Sequence, residues 1–287
     1  MTAGPWGLVG GVRVEKTKDE SHAYEVTKNF DNSVPPLEIS DIVTPVTANK
    51  SYTNWFPSLQ AKYEIQPKLI TRATWSSTLA RPGFNQSNVS KTIDFGSNLI
   101  TVGNPDLKPA TANSFDLTVE KYLAGAGILS FGIFDKEFKN YIVPNQTGTE
   151  TVPGAENPLN VVTFSNIDKS HARGAEFNWE QRFKELSGIL SGLGASANYT
   201  FVDSRIEIRP GEFSTLPSAS KNTWNASVFY EQYGLAVRVV GYSTSADLFF
   251  IGTDKSTDVW NSKTHVDGLR QQEFYRQTYL LGIRFDY

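Results

Sequence analysis

The sequence predicts an all-β protein, an antiparallel transmembrane β-barrel of about ten strands, and three observations carry that expectation. First, apolar and polar residues alternate at period two through stretches of about ten residues, as in strands with one apolar face. Second, the connections between these stretches alternate long and short, the asymmetry of barrels with long extracellular loops and short periplasmic turns. Third, the chain stops on an aromatic. Gln277–Tyr287 puts Tyr279, Leu281, Ile283, Phe285 and Tyr287 on one face and Leu280, Gly282, Arg284 and Asp286 on the other. A barrel's closing strand has that form, with aromatics at the bilayer interface. Taken alone, the segment also reads as the edge strand of a soluble sandwich.

The elements follow in order. Trp6 to Lys16 alternates, with Leu8, Gly10, Val12 and Val14 on one side and Val9, Gly11, Arg13 and Glu15 on the other. Thr17 to Ser51 is polar, contains three prolines and shows neither period, so a long loop is expected. Trp55–Ile65 and Leu69–Leu79 are strands joined by the turn Gln66–Lys68, and Arg81 opens a second long loop to Asn113. Phe115, Leu117 and Val119 oppose Asp116, Thr118 and Glu120. After the turn Ala124–Gly127 a strand is expected over Leu129–Ile142, with its register open near Asp135, and then a long loop over Val143–Ser170. Ala175, Phe177, Trp179 and Phe183 form the apolar side of the next strand, and after a turn over Lys184–Leu190, Ala195, Ala197, Tyr199 and Phe201 form that of its neighbour. A loop over Arg209–Ser220 leads to a strand with Trp224, Ala226, Val228 and Tyr230 on its apolar face. A tight turn at Gln232-Tyr233 and a strand with Leu235, Val237 and Val239 follow, then a last loop over about Asp247–Gln271.

Strands of about 9 to 11 tilted residues span a bilayer, which admits only helices or closed barrels because every backbone group must be paired. The charged positions Arg72, Glu120, Glu176 and Arg238 are too costly in lipid, so they are expected to line a wet lumen. Trp6, Trp55, Tyr63, Trp75, Tyr199, Trp224 and Tyr230 lie on the strands, many near an end, where rings form interfacial girdles. Composition excludes several classes. A net charge of −3 with no basic run argues against a nucleic-acid partner. The absence of cysteine removes disulfides, thiolate metal sites and a thiol nucleophile. No apolar run approaches the roughly 18 to 20 residues of a spanning helix. The first residues show no basic n-region, apolar h-region or cleavage site. The chain is therefore expected to be a piece of a longer one.

Several phrases resemble one family. Trp55–Tyr63, Thr78–Gly83, Gly103-Asn-Pro-Asp-Leu-Lys-Pro109 running on to Glu120, Ala172–Phe177 and the aromatic-ended last strand are similar, in that order, to segments of TonB-dependent outer-membrane receptors. The resemblance implies a partial barrel, the C-terminal part of a 22-stranded plugged one, with residues 1–287 as a single portion of it. It also implies a Gram-negative outer-membrane location and uptake of a scarce nutrient such as an iron chelate, cobalamin or a carbohydrate. Its implied partners are outer-membrane lipid, the nutrient, the TonB system through a plug domain with no counterpart here, and the barrel-assembly machinery at Tyr279, Leu281, Ile283, Phe285 and Tyr287. A passive or structural ten-stranded barrel and a soluble carbohydrate-binding β domain are the other readings.

Chemistry points away from catalysis. His22, His171 and His265 stand in no metal-ligand pattern and read as surface residues. Glu176 and Glu180 share a strand face but read as wall charges rather than an acid/base pair. Gly192–Gly194 has no following helix to make a phosphate loop, and Asp254–Asp258 reads as a solvated loop. No nucleophile lies beside a base, and no cofactor is expected. Phe249, Phe250 and Trp260, in the last loop, are candidates to stack on a ligand, with interface anchoring the alternative.

Overall fold

The computed structural model describes residues 4–31, 38–209, 211–233, 235–251, 259–261 and 278–285. In chain order the strands are β1 (Trp6–Asp31), β2 (Glu38–Gln66), β3 (Leu69–Ala80), β4 (Lys91–Asp94), β5 (Leu99–Val102) and β6 (Ala110–Leu123). Next come β7 (Gly127–Lys139), β8 (Tyr141–Glu150), β9 (Leu159–Ile167), β10 (Ser170–Arg182), β11 (Leu193–Arg209) and β12 (Glu212–Ser214). The described chain ends with β13 (Asn222–Gln232), β14 (Leu235–Thr244), β15 (Leu248–Ile251), β16 (Val259–Asn261) and β17 (Thr278–Phe285). Ten of these form one sheet in the order β1-β2-β3-β6-β7-β10-β11-β13-β14-β17, each pair antiparallel. The sheet is thus an up-and-down meander. Among the described residues no ladder joins β1 to β17, so it is an open, partial barrel.

The sheet is turned inside out relative to a water-soluble one. On β6 and β7 the apolar residues Phe115, Leu117, Val119, Leu129, Phe131 and Ile133 are exposed, while Asp116, Thr118 and Glu120 between them are half-buried. Leu8 is 73% and Val228 58% exposed. In water each such side chain would forgo about 1.5 to 3 kcal/mol of burial, so a face built of them needs an apolar solvent. A bilayer provides one. One row of paired residues crosses eight strands through Trp6, Tyr63, Thr71, Val119, Phe131, Phe177, Tyr199 and Trp224. Trp6 opens β1 at the short-turn end, whereas Trp224 sits near the long-connection end of β13. Successive strands are therefore staggered along the row, the tilt and shear that closing a barrel requires.

Where the strands leave this apolar band, the side that carries apolar residues switches. On β7, odd-numbered Leu129, Phe131 and Ile133 give way to even-numbered Phe134 and Phe138; on β11, Tyr199 and Phe201 give way to Val202, Ile206 and Ile208. Beyond the band the outer face meets water and the inner face meets folded loops. Val143, Ala172, Ile206, Leu216 and Leu248 form a buried cluster there, with Phe138, Val202 and Ile208 packed against it.

Three expectations need correction. Thr17–Asp31 and Glu38–Ser51 are not loop: β1 and β2 run on with unbroken pairing from Trp6↔Tyr63 to Asp31↔Glu38. Outside the band neither face must be apolar, so the ladder persists without a period to announce it. Pro45, opposite Tyr24, is tolerated because β3 pairs with β2 only from Ser58 onward, leaving an open edge over that stretch. Val143–Ser170 is likewise structured. β8 and β9 join β4 and β5 in a four-stranded sheet, β4-β5-β9-β8, in which β5 and β9 run parallel. Finally, the strand expected over Leu129–Ile142 ends at Lys139, where Asn140 takes a φ of 55° and Tyr141 starts β8. Asp135 pairs with Phe115 and Arg173, which fixes the register left open. Smaller pieces appear in the other long connections: a short helix at Phe84–Ser87, β12 folded back on β11, and the β15–β16 pair. Gln277, Asp286 and Tyr287 lie outside the described residues.

Candidate functional site: the polar face and its loop cover

The polar face is assembled in cross-strand rows. One row runs Lys62, Arg72, Thr118, Gly132, Glu176, Thr200 and Thr223, and the next runs Glu64, Ile70, Glu120, Ser130, Asn178, Asn198 and Asn225. Arg72 and Glu120 sit diagonally in these rows, and their side chains meet at 3.4 Å. Tyr122 donates its hydroxyl to the same Glu120 carboxylate at 3.2 Å. Such a part-exposed pair stabilises by at most about 1 kcal/mol, so its effect is to hold charge in place rather than to hold the fold. Glu176 is exposed in the same row as Arg72, three strands along from it.

Arg238 belongs to a third row, Arg182, Gly194, Phe229 and Arg238. Phe229 is buried, and its ring occupies the space a Cβ on Gly194 would need, with the ring only 2.3 Å from that position. The guanidinium groups of Arg182 and Arg238 lie over the ring at 5.5 and 5.0 Å. Arg182 also pairs with Glu231. An apolar ring on a polar wall thus lies beside two cations. Sequence reading missed this cluster; Phe229, a large apolar residue at the polar parity opposite a glycine, was its signal. Nearer the long loops, Arg13 lies 4.9 Å over buried Phe56 and pairs with Glu15, which Arg81 also reaches.

The loop cover is pinned at the Gly103–Pro109 phrase. Lys50 of β2 donates to the carbonyls of Pro105 at 3.2 Å and Leu107 at 2.5 Å, and burial pulls its ammonium below the ordinary lysine value. From the other side Asn166 of β9 accepts from the Lys108 amide and donates to the carbonyls of Lys108 and Asn140, while Asn104 donates to the Phe164 carbonyl. Leu107 is fully buried beneath. Gly103 must be glycine, since a Cβ would stand 2.2 Å from the Asn88 carbonyl oxygen. The phrase is therefore a junction between the β1–β2 hairpin and the loop sheet.

The backbone places Phe249 and Phe250 on β15 and Trp260 on the paired β16, and Leu248 anchors β15 in the apolar cluster. The side chains of all three lie outside the described residues, as do those of Tyr279, Leu281, Ile283 and Phe285 on β17. Among the described residues no cluster of His, Cys, Asp or Glu has the spacing of a metal site. No described helix is long and apolar enough to cross a membrane, which bears on helices only.

Comparison with known proteins accords with this geometry. The family model described as TonB dependent receptor-like, beta-barrel matches residues 1–278. No curated protein matches. Among solved structures, the chain is similar to the Serratia marcescens hemophore receptor HasR in complex with its hemophore HasA and heme, with a TM-score of 0.60 at 13% identity, covering 84% of this chain and 41% of that one. It is also similar to the siderophore receptor PirA from Pseudomonas aeruginosa, with a TM-score of 0.53 at 18% identity and coverage of 82% and 40%. The copper transporter OprC gives a TM-score of 0.59 at 12% identity and coverage of 88% and 35%. At these identities the likeness is one of fold, and the chain spans between a third and two fifths of the length of the receptors it matches.

Proposed function

Because the chain belongs to the TonB-dependent receptor β-barrel family, we propose that it forms the C-terminal wall of an outer-membrane barrel that takes up a scarce nutrient with energy delivered through TonB. The observation that carries this reading is the inverted sheet: an exposed apolar face, a charged opposite face holding Arg72, Glu120, Glu176 and Arg238, and loops folded over the outer end of that charged face. The charged face is the lumen wall, where Arg72–Glu120 and the Arg182–Phe229–Arg238 cluster offer fixed charges to a plug domain or a passing ligand. The loop cover, with Phe249, Phe250 and Trp260 on its β15–β16 hairpin, is where the ligand first docks. The chemistry proposed for this wall and its loops is binding and passage rather than catalysis. The two unpaired edges, β1 and β17, are the sites where further barrel strands add.

The similar receptors point to iron chelates, haem and copper as the first ligands to try, with cobalamin and carbohydrates after them. The test is growth and radiolabelled uptake in cells whose complete receptor carries this segment, each nutrient limiting in turn. Saturable accumulation that disappears when TonB is deleted is expected for one of them. Accumulation that persists without TonB would leave a passive barrel as the function.

A further inference from the structure

We propose that the outer wall carries a binding site for a phosphorylated glycolipid of the surrounding leaflet, at the long-loop ends of β7, β10 and β11. A pocket of about 400 Å³ lies there, lined among others by Lys139, Lys169, His171, Arg205 and Phe213. Its position follows from the register. Ile133, Ala175 and Phe201 form the last wholly apolar row on these strands; the next row out is Asp135, Arg173 and Asp203, and the next Glu137, His171 and Arg205. These rows keep the outward parity of the lipid-facing residues, whereas the loop cluster packs on the inward parity. The pocket thus begins about 14 Å along the strand from the apolar band, the depth of a lipid's head group rather than of its chains or of the lumen.

The chemistry selects the ligand class. Arg173 is already neutralised by Asp135 at 3.0 Å, and Lys169 by Glu207 at 2.8 Å. Lys139 and Arg205 have no carboxylate within ion-pair distance among the described residues. The Arg205 guanidinium lies flat on the Phe213 ring at 3.7 Å, which leaves its edge free to give paired N–H bonds to a phosphate. An exposed aromatic beside such a cation is a surface on which a sugar ring can lie. Glu137 and Asp168, also on the rim, supply acceptors for sugar hydroxyls. Two cations outside any close ion pair, an aromatic platform and carboxylate acceptors fit a phosphorylated sugar, although the Glu207 carboxylate stands near enough to Arg205 to feel its charge. The apolar row directly below fits the acyl chains attached to it, and that continuity favours a lipid over a free sugar phosphate.

This inference rests on the membrane placement proposed above but not on nutrient uptake, so losing the site leaves uptake intact. The test uses the complete receptor purified in dodecyl maltoside. Native mass spectrometry would follow its retention of lipid A, of lipid A stripped of its phosphates, and of glucosamine 6-phosphate. Lipid A should be retained at about tenfold lower concentration than its dephosphorylated form, and the double variant Lys139→Gln/Arg205→Gln should erase that difference. Arg238→Gln, on the opposite face, should not. Equal retention of the two lipids by the native protein would overturn the proposal, whether or not the double variant folds. So would a double variant that folds, by its heat-modifiable gel mobility, yet keeps the preference. Binding of glucosamine 6-phosphate as tight as that of lipid A would overturn the lipid as the source of the phosphate.

Discussion

At the scale of single residues, the two faces of each strand meet different solvents, and β13 displays the contrast most simply. Val228 is 58% exposed, whereas Asn225, at the opposite parity, is half-buried and pairs in register with Asn198 and Tyr242. Val228→Arg should therefore destabilise the membrane-inserted state by about 2 to 4 kcal/mol, and Asn225→Arg should be tolerated. Refolding of both variants into lipid vesicles, followed by urea titration, measures the difference; equal costs at the two positions would remove the membrane reading. Exposure alone does not make this argument, since scattered apolar residues are common on any surface. Parity makes it, because Phe115, Leu117 and Val119 are exposed in succession on one face of a single strand.

At the scale of elements, one short turn puts a lysine where glycine or asparagine is favoured. Lys68, in the two-residue turn between β2 and β3, has a φ of 68°, a region that favours Gly or Asn. Lys68→Asn should raise stability by roughly 0.5 to 1 kcal/mol, read as a higher urea midpoint, and Lys68→Val should lower it by a similar amount. The β11–β12 hairpin is expected to respond to pH. The Gly211 amide and the Lys169 ammonium both bond the Glu207 carboxylate and hold its pKa below the ordinary value. A carboxylate depressed in the folded state contributes stability above its unfolded pKa and loses it as pH falls through the folded one. Faster amide exchange at Gly211 should therefore appear only on acidification below the usual carboxylate range, and Glu207→Gln should abolish that dependence.

At the scale of the whole molecule, the open edges dominate. β1 and β17 both lack a second neighbour among the described residues, and each unpaired backbone group in lipid costs several kcal/mol. Residues 1–287, exported behind a signal peptide, should therefore give misassembled protein or a narrow passive barrel. Cells carrying only this segment should show no energy-dependent accumulation of iron chelates, haem or copper. Accumulation lost on TonB deletion, in cells with these residues alone, would refute that expectation.

The sequence by itself determined the class, the ten strands of the sheet and their antiparallel order, because period-two alternation is imposed residue by residue by the surroundings of each face. The same alternation puts Arg72, Glu120, Glu176 and Arg238 at the polar parity, where the register has them. Only the tertiary structure decided what happens beyond the bilayer. There the β1–β2 hairpin runs on past Lys16, the connection after β7 folds into β8 and β9, and Lys50 meets the Pro105 and Leu107 carbonyls across more than fifty residues. Water on one side and folded loops on the other impose no single period. Strand pairing in that region is fixed by non-local contacts, and no local pattern announces them.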